Sequence, residues 1–242
     1  FPNLIYLGSQ GTNPAHIRSG LDLYQVINND LEVSGLFTAV SSSAYLEDSN
    51  KTGLKPFPGE KNGFKYENWK TIGTDFLIRG GYYLLGGELN LDIYVYYIPQ
   101  SKGLMAKSYK APADAYRKIA HSFANDLIKA LTGKPGMYMT KLAASREDTP
   151  PGKSSYKEIY IMDWDGANML PITANKTISI SPAWSTNGDK SAYTSFAMHT
   201  VSKIRNSDLF IYNIPERKRY LVSYRKGLNN AAAFVPGDKE IL

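Results

Sequence analysis

An internal repeat with a spacing of 50 residues is the feature that most limits how this chain can fold. The matched segments are 159–163 with 209–213, 172–173 with 222–223, and 183–184 with 233–234, and a weaker match, 49 residues apart, sets 188–190 beside 237–239. Each segment is short, carries β-type rather than helical periodicity, and is bounded by turn residues. A repeat of this length built from short strands predicts β-propeller blades, each of which needs a neighbour on either side because one small sheet cannot bury both of its faces.

The first half of the chain has a different pattern, which mixes strands and helices. Residues 4–7 predict a short buried strand, and 76–109 predict an antiparallel meander whose turns fall at the Gly-Gly pairs 80–81 and 86–87. Residues 9–20 are rich in turn formers, and 41–65 predict a long loop.

Two helices are predicted from apolar residues at helical spacing. The first helix carries Leu21, Tyr24, Ile27 and Leu31 and ends near Gly35. The second follows Pro112 and ends at Gly133, and its apolar stripe is Tyr116, Ile119, Ala120, Phe123, Leu127, Ile128 and Leu131. We therefore expect a mixed α/β domain over 1–145, a polar and proline-rich linker over 146–155, and an all-β partial propeller of about two blades over 156–242.

Composition excludes several kinds of function. There is no cysteine, so thiolate metal sites and cysteine nucleophiles are ruled out. Lys and Arg number 28 against 22 Asp and Glu, but the excess of +6 is spread along the chain, so nucleic-acid binding is not expected. No run is long and apolar enough to predict insertion into a membrane.

No arrangement of residues predicts an active site or a metal centre. The three histidines are far apart in sequence, with His121 expected on a helix surface and His16 and His199 in loops. The segment 163–168 resembles the start of a calcium loop, but position 12 of that loop would be Ala174, so a hairpin turn is the simpler interpretation. Two S-x-x-K matches, at 154–157 and 223–226, lack the helix start that their chemistry needs.

Four motifs in order resemble the TolB family. Residues 181–193 (SPAWSTNGDKSAY) resemble its propeller motif S-P-A-W-S-P-D-G-x-x-L-A-Y, and 158–166 resemble its strand and D-x-D-G turn. Residues 131–136 resemble its L-T-G-x-x-G, and 29–37 resemble N-D-L-x-x-S-G-x-F in its N-terminal domain. The resemblance implies a non-enzymatic periplasmic adaptor of the Tol–Pal system that needs no cofactor. It also implies a six-bladed propeller that docks on a peptidoglycan-associated, Pal-like lipoprotein.

The sequence departs from the family pattern at both ends. It stops at Leu242 inside a third blade motif, so we expect a fragment of a longer propeller. It starts at Phe1 directly before the first strand, without the extension that binds the inner-membrane protein TolA, so a TolA-like contact is not expected of this chain.

The same resemblance implies the partner-binding residues, which lie in the loops leading into the innermost strand of each blade. They are Ser179, Ile180 and Ser181 in one blade and Leu228, Asn229, Asn230 and Ala231 in the next. The alternative is a prolyl-oligopeptidase-type serine peptidase, in which the propeller accompanies a catalytic domain that this chain lacks. The helix at 116–136 favours the TolB interpretation.

Overall fold

The computed structural model describes residues 1–9, 13–196, 198, 203 and 205–242. The chain divides into two units, Phe1–Met139 and Thr140–Leu242. The first is mixed α/β and the second is all-β within the described residues, as the sequence predicts.

The first unit is built on a four-stranded sheet. Its strands, in the order β1-β2-β3-β4, are β1 (Ile5–Tyr6), β2 (Phe76–Leu85), β3 (Glu88–Tyr97) and β4 (Lys102–Pro112). Strand β1 runs parallel to β2, and β2, β3 and β4 form the antiparallel meander that the sequence predicts. The β2–β3 turn falls at Gly86-Gly87, whose φ angles of 60° and 83° are readily adopted only by glycine.

The predicted turn at Gly80-Gly81 is wrong, because both glycines lie inside the continuous strand β2. A Cβ atom at Gly80 would stand 2.5 Å from the side chain of Leu4, and one at Gly81 would stand 2.5 Å from that of Leu7. The glycines are therefore needed for packing, since they leave room for the side chains of Leu4 and Leu7, which flank the neighbouring strand β1.

Three helices accompany this sheet: α1 (Pro14–Val33), α2 (Tyr66–Thr71) and α3 (Tyr116–Thr132). Helix α1 begins inside the stretch predicted to be turns, because the Asn13 side chain accepts a hydrogen bond from the His16 backbone N–H (2.9 Å) and Pro14 suits the first turn. Helix α3 ends as predicted at Gly133, which is left-handed with φ 79°.

The core of the first unit lies between the sheet and the apolar faces of α1 and α3. Its fully buried side chains include Leu23, Ile27, Leu89, Leu91, Ile93, Phe123 and Leu127. Burying each side chain of this size contributes roughly 1.5–3 kcal/mol, so the helices are held mainly by this packing.

The predicted surface position of His121 is wrong. Its side chain is 4% exposed and its Nδ1 lies 2.8 Å from Oδ2 of Asp30, which is itself fully buried. This contact joins α3 to α1 across the core. The expected loop position of His16 is also wrong, because Asn13 caps α1 and His16 lies in its first turn, with Nδ1 3.0 Å from the Tyr6 hydroxyl. His199 is outside the described residues.

The long loop over 41–65 contains one short 3-10 turn, Ser42–Ala44, and folds around a buried arginine. Arg79, on β2, is 1% exposed. Its guanidinium donates to the backbone carbonyls of Ser49 (2.7 Å), Thr52 (2.6 Å) and Gly53 (3.3 Å). The loop thus supplies acceptors for a charge that β2 carries into the interior.

The second unit contains two sheets. The first is β5 (Lys141–Asp148), β6 (Tyr156–Asp163) and β7 (Leu170–Pro171), and the second, in the order β8 to β11, is β8 (Ser179–Trp184), β9 (Lys190–Ser195), β10 (Asp208–Asn213) and β11 (Lys218–Ser223). After β11, Phe234 and Ile241 form an antiparallel bridge at the position of the next repeat.

The expected boundary at residue 145 and the expected linker over 146–155 differ from this division. Strand β5 crosses residue 145 and pairs with β6 along its whole length. Its polar end is compatible with a strand because Arg146 stacks on the Tyr160 ring (4.2 Å) and pairs with Asp148 (2.9 Å) at the surface.

The repeat in the sequence is a repeat in the structure. The 159–163 segment lies in β6 and the 209–213 segment in β10, which occupy matching places in the two sheets. The segment 163–168 forms the β6–β7 turn, in which the Asp163 N–H donates to the Ala167 carbonyl (2.8 Å). The turns at Gly188 (φ 75°) and Gly237 (φ 90°) also correspond.

Candidate protein-docking edge

The seven predicted site residues occupy the same place in successive blades, but only four of them lie in a loop. Leu228, Asn229, Asn230 and Ala231 follow β11, whereas Ser179, Ile180 and Ser181, which were expected in a loop, are the first residues of strand β8. Ile178 forms a parallel bridge with Lys157, and Leu228 forms the same kind of bridge with Ser207, so both partners are offset by 50 residues. Ser181 and Ala231, also 50 apart, have φ angles of 55° and 56°. We call the side of the sheets that carries 172–181 and 224–231 the loop edge.

Two of the seven residues point inward and hold the loops in place. Ser179 is fully buried, and its Oγ lies 3.1 Å from that of Ser195. Asn229 is 9% exposed, and its side-chain amide donates to the carbonyls of Ser207 (2.8 Å) and Arg225 (2.7 Å). These groups are structural, because each saturates polar atoms that the loop buries.

The preceding sheet also anchors each loop. The Ser145 hydroxyl of β5 donates to the Ser179 carbonyl (2.8 Å), and the Thr194 hydroxyl of β9 donates to the Asn229 carbonyl (3.1 Å). The same hydrogen bond therefore recurs from one blade to the next, and it fixes the backbone at Ser179 and at Asn229 to the preceding sheet.

The remaining predicted residues face outward or are half-buried. Leu228 is 78% exposed, Ser181, Asn230 and Ala231 are exposed, and Ile180 is half-buried. Sequence reasoning missed Ile178, which is 45% exposed, although its offset of 50 from Leu228 was a usable signal. An exposed apolar side chain at the same place in two blades can contact a protein partner.

The ionisable groups with shifted pKa values in the second unit lie away from the loop edge. Burial raises the pKa of Tyr193, which belongs to the core cluster of Ile159 and Ile161. Desolvation alone would raise the pKa of Asp238, but hydrogen bonds from the N–H groups of Thr186 (2.6 Å) and Asn187 (3.0 Å) outweigh it and lower that pKa. Asp238 thereby joins the turn at Gly237 to the matching turn at Gly188 in the preceding blade.

Three surface grooves, of about 570, 660 and 370 Å³, were found in the described part of the chain. The first two belong to the first unit and the third, beside Phe234, to the second. None of the three is lined by any of the seven predicted residues, four of which (Ser181, Leu228, Asn230 and Ala231) are exposed. Among the described helices, none has the length and apolar character to cross a membrane.

The inward and outward roles give a prediction for two adjacent asparagines. Asn229→Ala removes a buried amide and leaves carbonyls of the loop unpaired, so we expect it to lower the free energy of unfolding by about 2–3 kcal/mol. Asn230→Ala alters an exposed side chain and should change the free energy of unfolding by less than about 0.5 kcal/mol. Chemical unfolding followed by circular dichroism measures both, and equal effects of the two substitutions would contradict the assigned roles.

The fold and the repeated edge define a mixed α/β domain followed by propeller blades. Family models match both parts: the TolB amino-terminal domain over residues 8–104 and the TolB beta propeller domain over 128–242. The chain therefore belongs to the TolB family.

Its relatives carry the same assignment. It is 31% identical over 229 residues to the Tol-Pal system protein TolB of Desulfosudis oleivorans (94% of this chain, 48% of the relative). It is 30% identical over 222 residues to that of Rickettsia prowazekii (91% and 47%). The chain thus spans about half the length of these curated relatives. The crystal structure of TolB from Acinetobacter baumannii shares the fold, with a TM-score of 0.75 at 22% identity over 99% of this chain and 54% of that one.

Proposed function

We propose that the protein is a non-enzymatic periplasmic adaptor of the Tol–Pal system that binds a peptidoglycan-associated lipoprotein through the loop edge of its propeller. The observation that carries the proposal is the repeated exposure of this edge in a chain of the TolB family. The inward residues Ser179 and Asn229 fix the loops, and Ser181, Leu228, Asn230 and Ala231 are available to a partner.

The geometry suits a protein partner better than a small molecule. A small ligand is usually held in a concave site that buries most of its surface, whereas Leu228 is 78% exposed on a projecting loop. A protein surface can cover such a side chain and gain from removing it from water. The comparisons favour this adaptor over the peptidase alternative, since the α/β region also matches the TolB family.

The test is titration calorimetry between the full-length product of the gene encoding this chain and the soluble domain of the lipoprotein from the same organism. We expect binding, and we expect Leu228→Asp to weaken it at least tenfold, about 1.4 kcal/mol. The matched control is Leu221→Asp, which alters a leucine of β11 that is 40% exposed and outside the loops. Absence of binding by the unsubstituted protein would overturn the proposal.

A further inference from the structure

Two outward side chains recur at the loop edge although packing does not require them. Lys176 and Ile178 stand in one blade, and Lys226 and Leu228 stand 50 residues later in the next. All four are exposed. The repeat thus preserves a lysine and, two residues on, an apolar side chain at matching places on the surface.

The acidic residues beside these loops are turned inward, and they too recur. Glu158 and Asp208, 50 apart, are 3% and 1% exposed. Glu158 accepts hydrogen bonds from the Thr173 hydroxyl and from the Lys176 backbone N–H (2.5 Å). Asp208 accepts one from the Asn206 amide (2.9 Å). Both carboxylates accept hydrogen bonds from their own blades, and within the described residues neither forms an ion pair with Lys176 or Lys226.

The lysines are free to meet a partner. No ion pair involves Lys176 or Lys226 within the part of the chain that the structure describes, and Arg225, next to Lys226, is exposed as well. By contrast, the lysine and arginine on the neighbouring strands are paired: Lys157 with Glu147 (3.5 Å) and Arg146 with Asp148 (2.9 Å). The loop edge therefore carries two exposed lysines without an ion pair at matching places in two blades.

We infer that the loop edge recognises an acidic protein surface, with Lys176 and Lys226 facing carboxylates and Ile178 and Leu228 inserting between them. This rests on the proposed function and adds the chemistry of the partner. Complementary charge across an interface speeds association and selects the partner, and the apolar side chains supply burial. Alternation of single lysines with apolar groups favours a protein over a polyanion, which would require denser charge.

The test compares two double charge reversals in the full-length gene product, with the soluble domain of the peptidoglycan-associated lipoprotein as the probe. Lys176→Glu with Lys226→Glu alters the loop edge. Lys218→Glu with Lys239→Glu makes the same charge change at two exposed lysines at the opposite ends of the strands, where Lys218 is the first residue of β11 and Lys239 follows the turn at Gly237. Association and dissociation rates are measured by surface plasmon resonance between about 50 and 300 mM salt, a range over which screening of exposed charges increases strongly.

We expect the loop-edge variant to bind at least tenfold more weakly at low salt, mainly through slower association, and to lose most of the salt dependence. The control variant should stay within about twofold of the unsubstituted protein. Ile178→Ser should instead speed dissociation, because it removes apolar contact without changing charge.

The outcomes separate the inference from the function on which it rests. If the unsubstituted protein does not bind the lipoprotein, both fall. If it binds and the two charge reversals act equally, or neither acts, the loop edge is not an acidic-surface site although the adaptor role stands. If the loop-edge reversal abolishes binding to phosphatidylglycerol vesicles but leaves lipoprotein binding unchanged, the edge meets a membrane and the inference is wrong.

Discussion

Replacing Arg79 with leucine is expected to destabilise the protein by about 3–5 kcal/mol, a larger loss than we expect from any other single substitution in the first unit. The guanidinium is the common donor to three carbonyls of the 49–53 loop segment. Leucine fills part of the volume but removes the donor from one buried carbonyl (Gly53) and two half-buried ones (Ser49 and Thr52). The loop should therefore detach from β2, and the loss should appear in urea unfolding followed by tryptophan fluorescence.

The control is Arg18→Leu, because Arg18 forms an ion pair with Asp22 (2.8 Å) while its side chain is 76% exposed. Surface pairs of this kind contribute about 0–1 kcal/mol. Hydrogen exchange adds a local readout: amides of residues 49–53 should exchange faster in Arg79→Leu and at their normal rate in Arg18→Leu. If Arg79→Leu unfolds at the same urea concentration as the control, the hydrogen bonds from Arg79 to the three carbonyls do not hold the loop in place.

What the sequence predicts well is local or periodic. Helix α3 could be predicted from its stripe and its terminal glycine, and the meander from alternation. The blades could be predicted because the repeat shows each strand pattern twice. A short strand such as β7 is therefore supported by β11, its counterpart in the next copy of the repeat. The residues of the candidate site, by contrast, came from the resemblance to the TolB family and stay a prediction.

What could not be predicted depends on partners distant in sequence. The pair Gly80-Gly81 has the composition of a turn, and only the approach of Leu4 and Leu7, more than 70 residues earlier, explains it as strand. Strand β5 has a polar end like a linker because charged side chains are tolerated at the surface of a sheet. In both cases local propensity was overridden by tertiary packing.

Within the candidate site, the family resemblance selects 179–181 and 228–231 but does not say which of these residues face outward. Ser179 and Ser181 are the same residue type two positions apart, yet one is fully buried and the other exposed. The difference comes from the left-handed backbone at Ser181, and no feature of the sequence shows it directly. Comparing both blades resolves it, because Asn229 and Ala231 repeat the same inward and outward arrangement.

The Asp30–His121 contact explains the aspartate of the N-D-L motif at residues 29–31. Asp30 follows Leu23, Val26 and Ile27 on the apolar face of α1, so a carboxylate stands where an apolar residue is expected. The structure explains it through the 2.8 Å contact with the His121 ring on α3. The aspartate of the N-D-L motif therefore orients two helices of the α/β unit.

Asp30→Ala is expected to lower the free energy of unfolding by about 3 kcal/mol, because it removes a buried carboxylate and leaves the His121 ring without this partner. The matched control is Asp22→Ala in the same helix, which removes a surface ion pair and should cost less than about 1 kcal/mol. The double variant Asp30→Leu with His121→Phe should lose less stability than the sum of the losses of Asp30→Leu and His121→Phe made singly. Each single substitution leaves one polar group of the pair buried without its partner, and the double variant leaves neither. Additive losses in the same urea titration would show that the two side chains act independently, and α1 and α3 would then be joined by apolar packing alone.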